Sequence, residues 1–221
     1  MTSSTDLAAL LCSRLCHDML SPVGALNNGL ELLADERDPA MRENVMELLE
    51  QSARTSADKL KFFRLAFGAA GGFGDMVDSH EPKALIDALA AANKRLEVNW
   101  ALSDARLPKP AVKVLLNFAQ IAMDALIRGG TLDIGAEMRT DGDHGNTEIV
   151  VRAVGPKIAF DETIGKALDG TLAPGELSSR TAAAHMIALL AEDSGGGLQY
   201  RLTPDSLVLG AVLPAPEGLI G

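Results

Sequence analysis

The chain has 221 residues, 47% apolar but only 4% aromatic, with a formal net charge of −10. That is enough chain for one large domain or two small ones, and a composition led by Ala and Leu favours helices packed on helices beside a small sheet. The acidic balance argues against nucleic acid as a direct partner, and no 18-residue apolar run is present to span a membrane.

The opening Met1-Thr2-Ser3-Ser4-Thr5-Asp6 lacks the basic start of a signal peptide. From about residue 4 to residue 34 the pattern is helical. Leu7, Leu11, Leu15, Met19, Leu26, Leu30 and Leu33 recur at steps of three and four, with one longer step across a proline. That proline, Pro22, should kink the helix, because it removes one backbone hydrogen bond and its ring crowds the preceding turn. Asp35-Glu36-Arg37-Asp38 reads as a tight polar turn. Asp38 then serves as N-cap, with Pro39 at the first helical position. A second helix follows over residues 39–67, with Met41, Val45, Leu48, Leu49, Leu60, Phe63 and Phe67 on its buried side. Two long helices joined by a short turn make an antiparallel hairpin. A lone hairpin cannot bury both stripes, whereas two copies packed as a four-helix bundle can, so a homodimer is expected.

Residues 68–79 are glycine-rich and mark the joint between domains. The expected division is a helical hairpin over 1–70, a linker over 71–79 and a second domain over 80–221. In that domain, helices are predicted over 82–94, over 110–128 with a stop at Gly129-Gly130, and over 177–193 with a stop at Gly195-Gly196-Gly197. Strands are predicted over 96–102, 131–139, 147–154, 198–202 and 207–213, with turns at 141–146 and 203–205. The fold class is α+β: a hairpin followed by an α/β sandwich with helices on one face of a mixed sheet.

The chemistry centres on Leu15-Cys16-His17-Asp18-Met19-Leu20-Ser21-Pro22. On a helical wheel of roughly 100° per residue, His17 points away from the core direction set by Leu15, Pro22, Leu26 and Leu33. Near its face lie Leu10, Ser13, Leu20, Ser21, Gly24 and Asn28. Exposed leucines beside a histidine suggest docking, and the small Ser21 and Gly24 would admit a partner's backbone. A neutral imidazole is a fair nucleophile near pH 7. Asp18 could orient the ring or take its proton, and Ser21 could hydrogen-bond a group carried on it. Spacing alone also allows an ordinary surface histidine.

Cys12 and Cys16 lie four apart on one helix, at the edge of the core stripe. They support no disulfide framework, fit a reducing cytoplasm, and read as small apolar residues rather than metal ligands, since structural zinc wants four. His80 and His144 fall in predicted loops and His185 on a helix, without partners in sequence. The glycines at 195–197 follow a helix rather than precede one, so they read as a stop and not a phosphate cradle.

The run His17-Asp18-Met19-Leu20-Ser21-Pro22 resembles the His-acid-x-x-Ser/Thr/Asn-Pro box of sensor histidine kinases, whose dimeric hairpin precedes an ATP-binding domain. The second domain resembles a worn version of that Bergerat-like ATP fold. The segment from Leu115 to Ala125 is similar to the kinase Leu-Leu-Asn-Leu-Leu-x-Asn-Ala, with the magnesium-anchoring asparagine falling on Ile121. The segment from Val151 to Ile158 is similar to Val-x-Asp-x-Gly-x-Gly-Ile, with the adenine-binding aspartate on Ala153 and the second glycine on Lys157. The Gly-x-Gly lid is replaced by Pro174-Gly175-Glu176. Ile121 offers no oxygen to a hard cation, and Ala153 cannot accept the adenine amino hydrogen bond.

A histidine box on a hairpin, followed by an ATP-like domain lacking ATP residues, resembles the ChpT-type histidine phosphotransferases of bacterial cell-cycle phosphorelays. The stretch from Leu15 to Gly29 carries the specific likeness. The resemblance implies a homodimer that takes a phosphoryl group on His17 from the receiver aspartate of a hybrid kinase and passes it to response-regulator receivers. Asp18 and Ser21 would assist. Leu10, Ser13, Arg14, Leu20, Gly24, Asn27 and Asn28 would form the docking face. No cofactor is implied, with Mg2+ confined to the partner receiver. Nucleic acid and membrane are not expected partners, and the cytoplasm is the expected location. The alternatives are an active histidine kinase or phosphatase, and a non-catalytic dimeric module that binds receivers.

Overall fold

A computed structural model describes residues 3–68, 76–141 and 144–214. Most of the expected linker and the tip of the 141–146 turn lie outside the described residues. The hairpin consists of α1 (Ser4–Asp35) and α2 (Pro39–Phe67). Ser3 caps α1 reciprocally: its hydroxyl accepts from the Asp6 backbone at 3.1 Å, and the Asp6 carboxylate accepts from the Ser3 backbone at 3.3 Å. Asp38 caps α2 by accepting from the Ala40 backbone at 3.1 Å, with Pro39 at the first position. α1 runs as one helix through Pro22, which is buried with Gly29 on the seam facing α2. A Cβ on Gly29 would stand 2.8 Å from Leu49 Cδ2, so the missing side chain lets the helices pack closely there.

The seam is narrower than the sequence pattern suggests. Leu30, Met41, Leu48 and Leu60, expected on buried sides, are exposed on the single chain, as are Cys12 and Cys16. Two helices cover only the stripes that face each other, which leaves these positions open.

The second domain contains β1 (Met76–Asp78), α3 (His80–Ala90), β2 (Leu96–Leu102), β3 (Arg106–Pro108), α4 (Lys109–Ala125), β4 (Gly130–Asp141), β5 (His144–Val154), α5 (Glu162–Leu168), α6 (Ala182–Asp193), β6 (Gly197–Leu202) and β7 (Ser206–Pro214). β1 and β3 form a small antiparallel pair. The main sheet has the order β2-β4-β5-β7-β6, with β2 parallel to β4 and every other pair antiparallel. Its inner face buries Leu132, Ile134, Ile149, Val151, Ala153, Leu207 and Leu209 against α4, whose Val112, Leu115, Leu116 and Phe118 are wholly buried. The outer face mixes polar and apolar residues: Asn99 is hydrogen-bonded to Asp133 at 3.0 Å, and Val150 and Val212 are exposed.

Three helices differ from their predicted bounds. α4 ends at Ala125 rather than at residue 128: residues 126–128 form a turn into Gly129 (φ 82°) and Gly130 (φ 144°), where a Cβ on Gly129 would meet the Arg95 carbonyl at 2.5 Å. α6 begins at Ala182 rather than at residue 177. Ahead of it, Thr181 Oγ1 accepts from the Ser178 backbone at 2.9 Å, and 174–176 form a single 3-10 turn. α3 starts two residues early and stops at Ala90 instead of residue 94.

The hairpin and the sandwich share a core. Phe62, Phe63, Leu65 and Ala66, at the end of α2, are buried in the same cluster as α3 and α4. Phe63 stacks on Phe67 and meets Phe62 edge-on. No helix among the described residues is long and apolar enough to cross a membrane.

Candidate functional site

His17 stands on the outer side of α1 with its side chain 83% exposed. Pro22, Leu26 and Gly29 fix the helix's rotation by facing α2, and that rotation turns His17 outward. Its Nδ1 lies 3.2 Å from Asp18 Oδ1. An ionised carboxylate only accepts, so this contact selects the tautomer with the proton on Nδ1 and leaves the Nε2 lone pair free.

Asp18 is held from several directions. Arg14 Nε donates to its Oδ2 at 2.9 Å, and Lys59 Nζ on α2 donates to its main-chain carbonyl at 2.9 Å. Partial burial works to raise the Asp18 pKa. Hydrogen bonds from Arg14 and His17, with the charges of Arg14 and Lys59, outweigh it and hold the carboxyl below its ordinary value.

Arg14 reaches further. Its Nη2 lies 3.2 Å from Asp124 Oδ2 on α4, and Gln120 Nε2 donates to Asp124 Oδ1 at 2.8 Å. Arg14 was expected on the open docking face. The structure instead places it between two carboxylates with its side chain 19% exposed. Asp124 is half open to solvent, yet burial by the surrounding walls pushes its pKa up, against the opposing pull of Arg14 and Gln120.

A cleft opens between α1 and the second domain, lined by Arg14, His17, Asp18, Ile121, Asp124 and Arg180. Asp161 caps α5 at its far wall, accepting from Thr163, and pairs with Arg180 at 3.2 Å. Ile121 presents an apolar side chain to this cleft, and Ala153 is wholly buried in β5. Asn117, the first asparagine of the kinase-like segment, turns back to its own helix and donates to the Lys113 carbonyl at 2.8 Å.

Of the other expected docking residues, Ser13, Leu20, Asn27 and Asn28 are exposed on α1, as is Ser21. Leu20 is 69% exposed, and a Cβ on Gly24 would meet nothing within 4 Å, so both stand free for a partner. Asn27 donates to Glu31 at 2.9 Å. Leu10, expected to be exposed, is half-buried. Lys59, Gln120 and Asp124 were not singled out from the sequence. They lie on other elements, and no local spacing announces them.

Comparison with known proteins gives a consistent result. A model of the histidine phosphotransferase C-terminal domain matches residues 79–206. The chain is 34% identical over 209 residues to the protein phosphotransferase ChpT of Brucella abortus (strain 2308), covering 95% of this chain and 96% of that protein. A bacterial phosphotransferase solved at 1.7 Å superposes with a TM-score of 0.79 at 34% identity, over 96% of this chain and 98% of the other.

Proposed function

The chain belongs to the histidine phosphotransferase family and transfers phosphoryl groups in a phosphorelay with receiver domains; on that premise we propose that His17 is the residue that carries the phosphoryl group. The observation that carries this reading is the outward imidazole whose Nδ1 faces Asp18, with Nε2 left open to a partner. Nε2 attacks the phosphorus of a receiver's aspartyl phosphate in line. The Nε2–P bond forms as the bond from phosphorus to the aspartyl oxygen breaks, and the electron pair leaves with the receiver's carboxylate. The ring becomes a phosphorylated imidazolium, and Asp18 stabilises its positive charge through the Nδ1–H bond, as a carboxylate does for a catalytic histidine. The reverse step returns the pair to Nε2 when a second receiver aspartate attacks. In this reading Ser21, exposed one turn on, binds a phosphoryl oxygen.

The second domain takes no nucleotide in this reading. Ile121 supplies no oxygen for Mg2+, Ala153 is a buried methyl where a hydrogen-bonding acid would be needed, and the two arginines of the cleft, Arg14 and Arg180, are engaged by Asp124 and Asp161. Mg2+ belongs to the receiver. The working unit is a homodimer. Cys12, Cys16, Val23 and Leu30 share one side of α1 and are exposed, and a groove between the helices is lined by Leu26, Leu30, Met46, Leu49 and Ala53 together with Glu43, Glu47 and Glu50. A second hairpin laid there completes a four-helix bundle. The site of action is the cytoplasm, where receiver domains of response regulators are met.

The test is transfer from a phosphorylated receiver. Wild-type protein should gain an acid-labile phosphoryl group, and His17→Gln should gain none. Equal labelling of the two would overturn the assignment of His17. Labelling from ATP and Mg2+ alone would favour a kinase instead.

A further inference from the structure

We infer that Arg14 is a positioning residue for the transfer reaction, and that Asp124 of the second domain holds it in that role. The inference rests on His17 being the phosphoryl carrier. The continuous chain of contacts is His17 Nδ1 to Asp18 Oδ1, Asp18 Oδ2 to Arg14 Nε, Arg14 Nη2 to Asp124 Oδ2, and Asp124 Oδ1 to Gln120 Nε2. It crosses from the hairpin into α4, between residues 110 positions apart in sequence.

Each link has a physical purpose. The contact between His17 and Asp18 is long at 3.2 Å and joins adjacent residues on a helix, whose side chains diverge by about 100°. Left alone, the Asp18 carboxylate would gain more by rotating into water. Arg14 occupies its second oxygen with a charge-assisted bond and so keeps the first aimed at the ring. Arg14 is itself a long side chain that must be ordered at an entropic cost. Asp124 meets that cost by fixing the far end of the guanidinium, which is planar and suited to two carboxylates at once. The α/β domain thereby orients the imidazole without touching it, using a side chain on the wall of its own cleft.

This role separates from receiver docking. Arg14 is largely covered, so its loss should alter the rate of transfer within the complex and leave receiver affinity unchanged. Four full-length proteins should be compared: wild type, Arg14→Gln, Arg14→Lys and Asp124→Asn, each checked by circular dichroism. Single-turnover transfer from a phosphorylated receiver gives the rate, titration gives the receiver Kd, and 15N NMR of the imidazole gives the His17 tautomer. The expected result for Arg14→Gln is a transfer rate about tenfold lower, a Kd within twofold of wild type, and a tautomer population moved away from Nδ1–H. Asp124→Asn should shift rate and tautomer in the same direction by a smaller factor. Arg14→Lys should recover part of both, since it keeps charge but not the two-ended geometry. An unchanged tautomer and rate in Arg14→Gln, or a loss confined to Kd, would overturn the inference. His17→Gln runs alongside: if it still accepts phosphoryl, the carrier assignment fails, and if it does not while Arg14→Gln behaves as wild type, only the positioning role fails.

Discussion

Lys59, on α2, donates a 2.9 Å hydrogen bond to the main-chain carbonyl of Asp18 on α1. In a regular helix that carbonyl would accept from the backbone nitrogen four residues on, but that residue is Pro22, which has no hydrogen to give. The proline of the histidine box therefore frees a carbonyl one residue from His17, and the second helix of the hairpin satisfies it. Lys59→Met should cost about 1–3 kcal/mol by leaving a partly buried acceptor without that donor. The cost should shrink in a Pro22→Ala background, where the backbone hydrogen bond returns. A double-mutant cycle by chemical denaturation measures the coupling, and additive effects would show that the two residues act independently.

Asp18→Asn keeps the size of the side chain and removes its charge. Transfer to His17 should slow by on the order of 100-fold, because the carboxylate no longer fixes the tautomer or stabilises the phosphorylated ring. Receiver affinity should hold. Stopped-flow or quench measurement of a single turnover separates the two.

The two carboxylates bridged by Arg14 should titrate in order. The Asp124 pKa is raised above its ordinary 3.8 and that of Asp18 is lowered below it. On acidification Asp124 gains its proton first, and the Arg14–Asp124 ion pair is lost while Arg14–Asp18 persists. The Asp18 contribution to stability is complete above the unfolded value of 3.8 and disappears as pH falls through its lower folded value. The Asp124 term has the opposite sign: burying its charge costs stability at neutral pH, and protonation relieves that cost. Carbon-13 titration of the side-chain carboxyls reads both, and a lower midpoint for Asp124 than for Asp18 would contradict this order.

Nucleotide should leave the protein's melting unchanged. A ligand that binds only the folded state at 100 times its Kd would add about 2.7 kcal/mol and a readable rise in Tm. With Ile121 and Ala153 in place and Asp124 facing the cleft, ATP and Mg2+ at millimolar concentration should add nothing. A saturable rise in Tm would show that a nucleotide site persists.

Val23→Glu and Leu30→Glu place charge on exposed apolar positions of α1. In a monomer such surface changes alter stability by less than about 0.5 kcal/mol. In a dimer each copy brings a like charge into the buried interface, so the substitution should split the assembly. Light scattering on the eluted protein decides between these outcomes.

The hairpin was legible in the sequence because its signals are local. Asp38 before Pro39, the period of the leucines and the polar turn set α2 at residues 39–67 as observed. The bridge from Arg14 to Asp124 was not legible, since its partners are 110 positions apart and each is an ordinary surface residue on its own helix. β1 and β3 are three residues each, too short for a period to register, and α5 is barely two turns. Cys12 and Cys16, read as small apolar residues at the edge of the stripe, are exposed on the single chain. Helical steps tell that a residue belongs to an apolar stripe, but not whether this chain or another covers it.

Phe62 and Phe63, at the foot of α2, are buried with the residues of α3 and α4 in one cluster. Swinging the α/β domain away from the hairpin would expose both rings, at about 1.5–3 kcal/mol for each buried side chain. The domain is thus not hung on a hinge. A protein that approaches His17 meets a single preset surface, and none of its binding energy is consumed in freezing a relative motion of two halves. Speed in such a relay would then be governed by how quickly partners arrive and depart.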